Sequence, residues 1–208
     1  MEKIIFHKET KTFHLYNEEI SYIMCVLENG HMGQLYYGKR IHDKPDFSYL
    51  VEKCGRPMTS YIFEGDRSFS LEHIRQEYPV YGTTDYRHPA IEIMQENGSN
   101  ISEFKYVGYE ILKGKPSLKG LPATYTESEE EAETLKIILK DNLTGAKLTL
   151  LYTIFSKGSA IARSAHICNK GEKVLHLQTM MSLNLDLPDK DYVWMQLSGA
   201  WSRERYVK

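Results

Sequence analysis

The side chains able to do chemistry in this 208-residue chain are 28 Asp and Glu, eight His and three Cys, and their spacing limits what they can do. Cleavage of a glycosidic bond asks for two carboxyl groups about 5 Å apart, one acting as acid and the other as nucleophile or base. Which of the acids approach one another is left open by the sequence. The densest acidic group, Glu127, Glu129, Glu130, Glu131 and Glu133, is broken by Ser128 and Ala132. It lacks the glycine-punctuated Asp loop that wraps a cation and reads as a solvated segment. The histidines are scattered. His166 and His176 lie on strand-like stretches, where a satisfied structural histidine is a plainer reading than a metal ligand. There is no P-loop, no G-x-G-x-x-G after a strand, no G-x-S-x-G elbow and no H-E-x-x-H, so nucleotide, serine-hydrolase and zincin chemistries have no motif. No metal site and no cofactor follow from these residues.

Charge and cysteine usage narrow the setting. Lys and Arg number 26 against the 28 acids, a balance that gives no electrostatic case for nucleic acid or an anionic membrane and suits a neutral partner. Cys25, Cys54 and Cys168 are far apart and form no C-x-x-C pair, which indicates neither a disulfide framework nor a zinc ribbon and makes a reducing cytosol the simplest compartment. The first seven residues turn polar at once, without the apolar run of a secretion signal, and no later stretch approaches the roughly 20 apolar residues of a membrane span. Asn-x-Ser/Thr triplets at Asn97, Asn100 and Asn142 are of a kind common by chance.

The elements that must position any site are strands. Residues 12–16 and 20–27 alternate imperfectly between large and small or polar side chains, Asn29-Gly30 supplies turn chemistry, and 34–37 is the expected partner strand. Strand patterns resume at 90–94, 104–112, 134–139, 147–155, 159–167 and 174–185, with 192–197 as a last strand before Ser198-Gly199. Asn97-Gly98, residues 142–145, Lys157-Gly158 and residues 169–171 punctuate them as turns. About a dozen strands imply two packed antiparallel sheets, since one twisted sheet of that size would leave a face exposed. The stretch at about 39–89 is different. It is rich in Pro, Gly, Asp and Arg, it is too long for a hairpin loop, and a single helical turn at 70–75 capped by Ser70 is the most it supports.

Three segments carry a resemblance: Phe69-Ser70-Leu71, the run 77–89 (EYPVYGTTDYRHP) and the run 113–124 (KGKPSLKGLPAT). Residues 131–135 (EAETL) and the ending 199–205 (GAWSRER) add to it. In order and over essentially the whole chain, they are similar to the N-terminal region of bacterial α-galactosidases of glycoside hydrolase family 36. The resemblance implies that 1–208 is an N-terminal β-supersandwich of galactose mutarotase-like fold. In that family a catalytic (β/α)₈ barrel and a smaller C-terminal sheet domain follow, and neither is in this chain. Both catalytic aspartates of the family lie in the barrel and carry out retaining hydrolysis of terminal α-galactosides such as melibiose and raffinose. No catalytic residue is therefore assigned here.

The resemblance also implies two substrate-binding residues. In tetrameric bacterial members the N-terminal domain reaches the active site of a neighbouring subunit. Trp201 matches the position that offers an aromatic ring near the galactose, where an indole presents an apolar face to sugar C–H groups and an N–H to a hydroxyl. A Trp packed against a domain interface is the alternative. Arg67 matches a basic position in the long loop, where its planar fork would orient the loop or hold a carboxylate, or else pair with Asp66 or Glu64. The family's sugar-binding Asp, about a dozen residues before this Arg, aligns with Gly55; Glu52 is a substitute only if the alignment takes a gap. Tyr78, Tyr81 and Tyr86, interleaved with Asp85 and Arg87, would form a sugar-facing surface, a loop core or an oligomer interface.

The expected function is thus that of a non-catalytic domain of a cytoplasmic α-galactosidase, shaping the active-site mouth and the oligomer. A free-standing carbohydrate-binding module, with aromatic residues along one sheet face, is an alternative. So is a mutarotase-like sugar epimerase, which needs a His and a Glu side by side in a concave face, a pairing that no sequence pattern marks.

Overall fold

The computed structural model describes residues 2–120 and 123–208. Met1, and Leu121 and Pro122 of the resembling run 113–124, lie outside the described residues. The chain order begins with β1 (Ile4–His7), β2 (Thr12–Tyr16), β3 (Ile20–Val26) and β4 (Met32–Lys39), which form one antiparallel sheet in that order. A second antiparallel sheet follows the same meander with β6 (Phe104–Lys113), β7 (Ala132–Asp141), β8 (Ala146–Phe155) and β9 (Ile161–Asn169). Two ribbons complete the set, β5 (Ile91–Gln95) with β10 (Leu175–Met180), and β11 (Leu197–Ala200) with β12 (Arg203–Val207). The mostly-β, two-sheet antiparallel sandwich read from the sequence is the fold observed.

Local chemistry explains the tight connections. Asn29-Gly30 turns β3 into β4 with Gly30 at φ +87°, a region that costs glycine nothing. Between β7 and β8, Asp141 folds its carboxylate back onto the turn: Oδ1 accepts from the Leu143 N–H at 2.8 Å and the Thr144 N–H at 3.3 Å. Gly145 closes that turn at φ +75°, where an added Cβ would stand 2.9 Å from backbone atoms of Gly171.

The imperfect alternation of β3 has a structural cause, because both of its faces are buried. Tyr22 and Met24 point with Phe13, Leu15 and Met32 into the space between the sheets. There they meet Leu135, Ile137, Leu148, Leu150 and Tyr152. Ile23, Cys25 and, across the strand, Leu35 point the other way, onto Phe47, Phe69, Leu71 and Ile74 of the long connection. A strand covered on both faces has no polar side to alternate with. The connection from 40 to 90 is irregular, as expected, but it is a packed third layer with its own apolar core. Its one 3₁₀ turn, Ser48–Leu50, and the Ser70-capped turn are its only helical features among the described residues. In the latter the Ile74 N–H reaches Ser70 O at 3.2 Å.

Two strand expectations are corrected, and two further strands appear. The stretch 174–185 is strand only over β10, after which the chain is drawn off by contacts to the long connection. Residues 192–196 are not strand, and the last ribbon begins at Leu197. β1 and β12, both rich in charged neighbours, carry too short a pattern to be read locally but pair with β2 and β11.

Candidate functional site

The run 77–89 does two jobs in the structure. Its buried members fasten the molecule together. Glu77 is fully buried between the sheets, where its carboxylate accepts from Tyr22 Oη at 2.7 Å and Tyr152 Oη at 2.8 Å. Arg163 of β9 lies 3.2 Å from the same carboxylate and 4.6 Å over the Tyr152 ring, and its Nη1 donates to the Asn184 carbonyl at 2.8 Å. Burial pushes the Glu77 carboxyl up, while the guanidinium and the two phenol hydroxyls pull it back toward the charged form. Asp85 is buried too. Both its oxygens receive Arg87, through Nε and Nη2 at 2.9 Å each, and Arg87 also donates to the Leu71 and Ile74 carbonyls and to Asp186. Tyr78 donates to the Met181 carbonyl and Asn184 Nδ2 to the Gln76 carbonyl, so 76–87 and 181–186 are laced together.

The exposed members of the run are Tyr81, Gly82, Tyr86 and His88. The group read as a sugar-facing surface, a loop core or an oligomer interface is therefore split, with Tyr78, Asp85 and Arg87 in the loop core and two tyrosine rings outside it.

The two residues singled out for substrate lie on different elements. Trp201 sits at the turn of the β11–β12 ribbon, 92% exposed, next to Ser202 at φ +63°. Arg67 lies in the long connection, exposed, with its guanidinium 5.9 Å over the Tyr61 ring. The alternative ion pair with Asp66 or Glu64 does not form among the described residues, and Asp66 instead accepts from the Ser68 N–H and hydroxyl in a tight turn. No hydrogen bond or ring contact among the described residues joins Arg67 to Trp201. Gly55 is exposed, and a Cβ there would meet nothing within 4 Å, so no crowding requires glycine at that position. Glu52 is exposed and makes no ion pair among the described residues.

Of the histidines, His166 and His176 are exposed rather than built into the structure. The embedded ones are His14, His31 and His73. His14 contacts Asp43 at 2.7 Å and Ser21 at 2.9 Å. His31 Nδ1 is 3.0 Å from Gln76 Oε1, Gln76 Nε2 donates to Asp85 at 2.7 Å, and His31 Nε2 lies 3.8 Å from Glu103. This is a His and a Glu side by side, which no sequence spacing announced: 72 residues separate them in the chain. Four of the five acids read as a solvated segment, Glu127, Glu129, Glu130 and Glu131, are exposed, whereas Glu133 is half-buried and accepts from the Lys3 N–H at 2.8 Å.

The family model for the "Glycosyl hydrolase family 36 N-terminal domain" matches residues 30–208. The chain belongs to this family. Across 99% of its length, this family 36 N-terminal domain is 42% identical to the α-galactosidase AgaA of Geobacillus stearothermophilus and 34% identical to the α-galactosidase Mel36A of Lactobacillus acidophilus. It spans 28% of the length of each. Its structure matches that of the α-galactosidase of Lactobacillus brevis with a TM-score of 0.94 at 38% identity, over 99% of this chain and 28% of that one. It also matches an AgaA variant crystallised in complex with raffinose, with a TM-score of 0.89 at 43% identity, over 95% of this chain and 27% of that one. No helix of the described residues is long and apolar enough to cross a membrane.

Proposed function

We propose that this family 36 N-terminal domain serves an α-galactosidase that hydrolyses terminal α-galactosides of the melibiose and raffinose type with retention, as a part that does not itself perform the chemistry. The observation that carries the reading is the match of nearly the whole chain to 28% of enzymes named α-galactosidases. The internal chemistry agrees. Retaining cleavage needs two carboxyl groups free to face one sugar. Here the buried carboxylates are occupied: Glu77 by two phenols and Arg163, Asp85 by Arg87 and Gln76, and Asp141 by the N–H groups of its turn.

In this reading the domain sits beside a catalytic barrel in a cytoplasmic homo-oligomer, and Trp201 and Arg67 face the substrate at a neighbouring subunit's active-site mouth. Exposure of the Trp201 indole supports it, since the ring is free to stack on a sugar. Hydrolysis of 4-nitrophenyl α-galactoside by the 208-residue chain, beside the same chain joined to a family 36 barrel, is the test. Turnover is expected only with the barrel, and turnover by the 208 residues alone would sink the proposal.

A further inference from the structure

Ile62 and Phe63 anchor the loop that carries Arg67. Both pack against the second apolar core, and the Phe63 ring lies 5.1 Å from that of the buried Phe69. Beyond them the chain reverses. Gly65 takes φ +83°, the Asp66 N–H donates to the Phe63 carbonyl at 3.2 Å, and the Asp66 carboxylate accepts from Ser68. On the near side, the Ser60 N–H donates to Glu72 Oε1 at 3.2 Å. The backbone on either side of Tyr61 is thus tied down, and a reversal with glycine at positive φ holds its shape through local bonds. The side chains of Tyr61 and Arg67 are left exposed on this frame.

The Arg67 guanidinium lies over the Tyr61 ring, 5.9 Å from its centre, and makes no hydrogen bond or ion pair among the described residues. The adjacent carboxylate, Asp66, is already taken up by Ser68. A long cationic side chain alone at a surface samples many rotamers. A ring face restrains it, because the cation is drawn to the π quadrupole, and that contact leaves the N–H edge of the guanidinium unused. Its five donors are therefore held in place and stay free. The Tyr61 hydroxyl also has no hydrogen-bond partner among the described residues, so the ring face, and not the phenol oxygen, is what acts on Arg67.

We propose that Tyr61 is the positioning residue for Arg67: its ring holds the guanidinium with the N–H donors free for oxygen atoms of the substrate. The inference rests on the reading of Arg67 as a residue that faces substrate. It adds a side chain that acts through Arg67, and it makes the aromatic face the feature that matters. Loss of that face weakens binding and leaves turnover at saturation as it was, because the domain supplies no reacting group.

Two measurements test it. In the 208-residue chain, nitrogen-15 relaxation of the Arg67 Nε–Hε group should report a restrained side chain that loosens in Tyr61→Leu and is restrained again in Tyr61→Phe. Equal mobility in all three proteins overturns the inference, and so does a lowered urea midpoint in Tyr61→Leu, which would assign the ring to packing. In the same chain joined to a family 36 barrel, Arg67→Ala should raise KM for raffinose by about tenfold. Tyr61→Leu should raise it by about two- to fivefold with kcat unchanged, the size expected of an exposed cation–π contact, and Tyr61→Phe should return it to the parent value. In the Arg67→Ala background, Tyr61→Leu should add nothing. Additive effects there would make Tyr61 a substrate contact in its own right and overturn its action through Arg67. A parent-like KM in Tyr61→Leu beside a raised one in Arg67→Ala overturns this inference alone. A parent-like KM in Arg67→Ala overturns the reading beneath it and the inference together.

Discussion

Glu77 and Arg163 meet between the two sheets, 3.2 Å apart, with the carboxylate fully buried and the guanidinium nearly so. One comes from the long connection and the other from β9, so the pair ties the outer layer, through the first sheet, to the second. Arg163 then passes the constraint on to the Asn184 carbonyl. An ion pair this deep repays little of its desolvation cost as stability, but breaking it leaves a charge stranded.

Arg163→Met should therefore destabilise the chain by about 3–5 kcal/mol in urea unfolding, because Glu77 keeps its burial and loses its cation. The double change Glu77→Leu with Arg163→Met should cost clearly less than the two single changes added together. Additive losses would show that the two side chains contribute separately.

Acid should weaken the fold through its buried histidines. Burial holds the pKa values of both His14 and His31 below the usual 6.5, against the pull of Asp43 on the first and of Gln76 and Glu103 on the second. A folded-state pKa below the unfolded one means that the unfolded chain takes up protons first as pH falls. The stabilisation is complete above pH 6.5 and declines below it, down to the lowered folded values. Urea midpoints measured from pH 7.5 to 5 should drop, and the drop should shrink in His31→Gln. Identical pH slopes for the two proteins would exclude His31 as a contributor.

Gly145→Ala should cost about 1–3 kcal/mol. The backbone there is left-handed, and the new methyl would meet Gly171 backbone 2.9 Å away, with no flexible side chain to yield. A thermal midpoint within a degree of the parent would contradict the geometry of this turn.

Trp201→Ala and Gly55→Asp are the informative surface changes. The first removes a 92% exposed ring and the second adds a side chain into open space, so neither should move the stability of the 208-residue chain by more than about 0.5 kcal/mol. In an intact family 36 enzyme, Trp201→Ala should raise KM for raffinose severalfold, as expected of a ring that faces substrate. Unfolding of the isolated chain by Trp201→Ala would instead assign the ring a packing role.

The strands and turns that local chemistry dictates were legible without the structure. Period-two runs gave β2 and, but for its first residue, β8, and Asn29-Gly30 gave the turn between β3 and β4, because alternation and positive φ are properties of neighbouring residues. The exposed acidic segment 127–131 and the family itself were legible for the same reason, since both are carried by contiguous stretches. What β3 buries on its second face was not, and neither was the end of β10, because the partners lie tens of residues away.

Tertiary structure alone decided the chemistry of the buried groups. Glu77 finds Tyr22 across 55 residues and Tyr152 across 75, and His31 finds Gln76 across 45. No local pattern encodes which donor will face which acceptor over such separations, because the sheet register and the path of the long connection set those distances. The composition could say that carboxylates, imidazoles and hydroxyls were available. Only the packing of three layers determined which of them are spent on holding the fold.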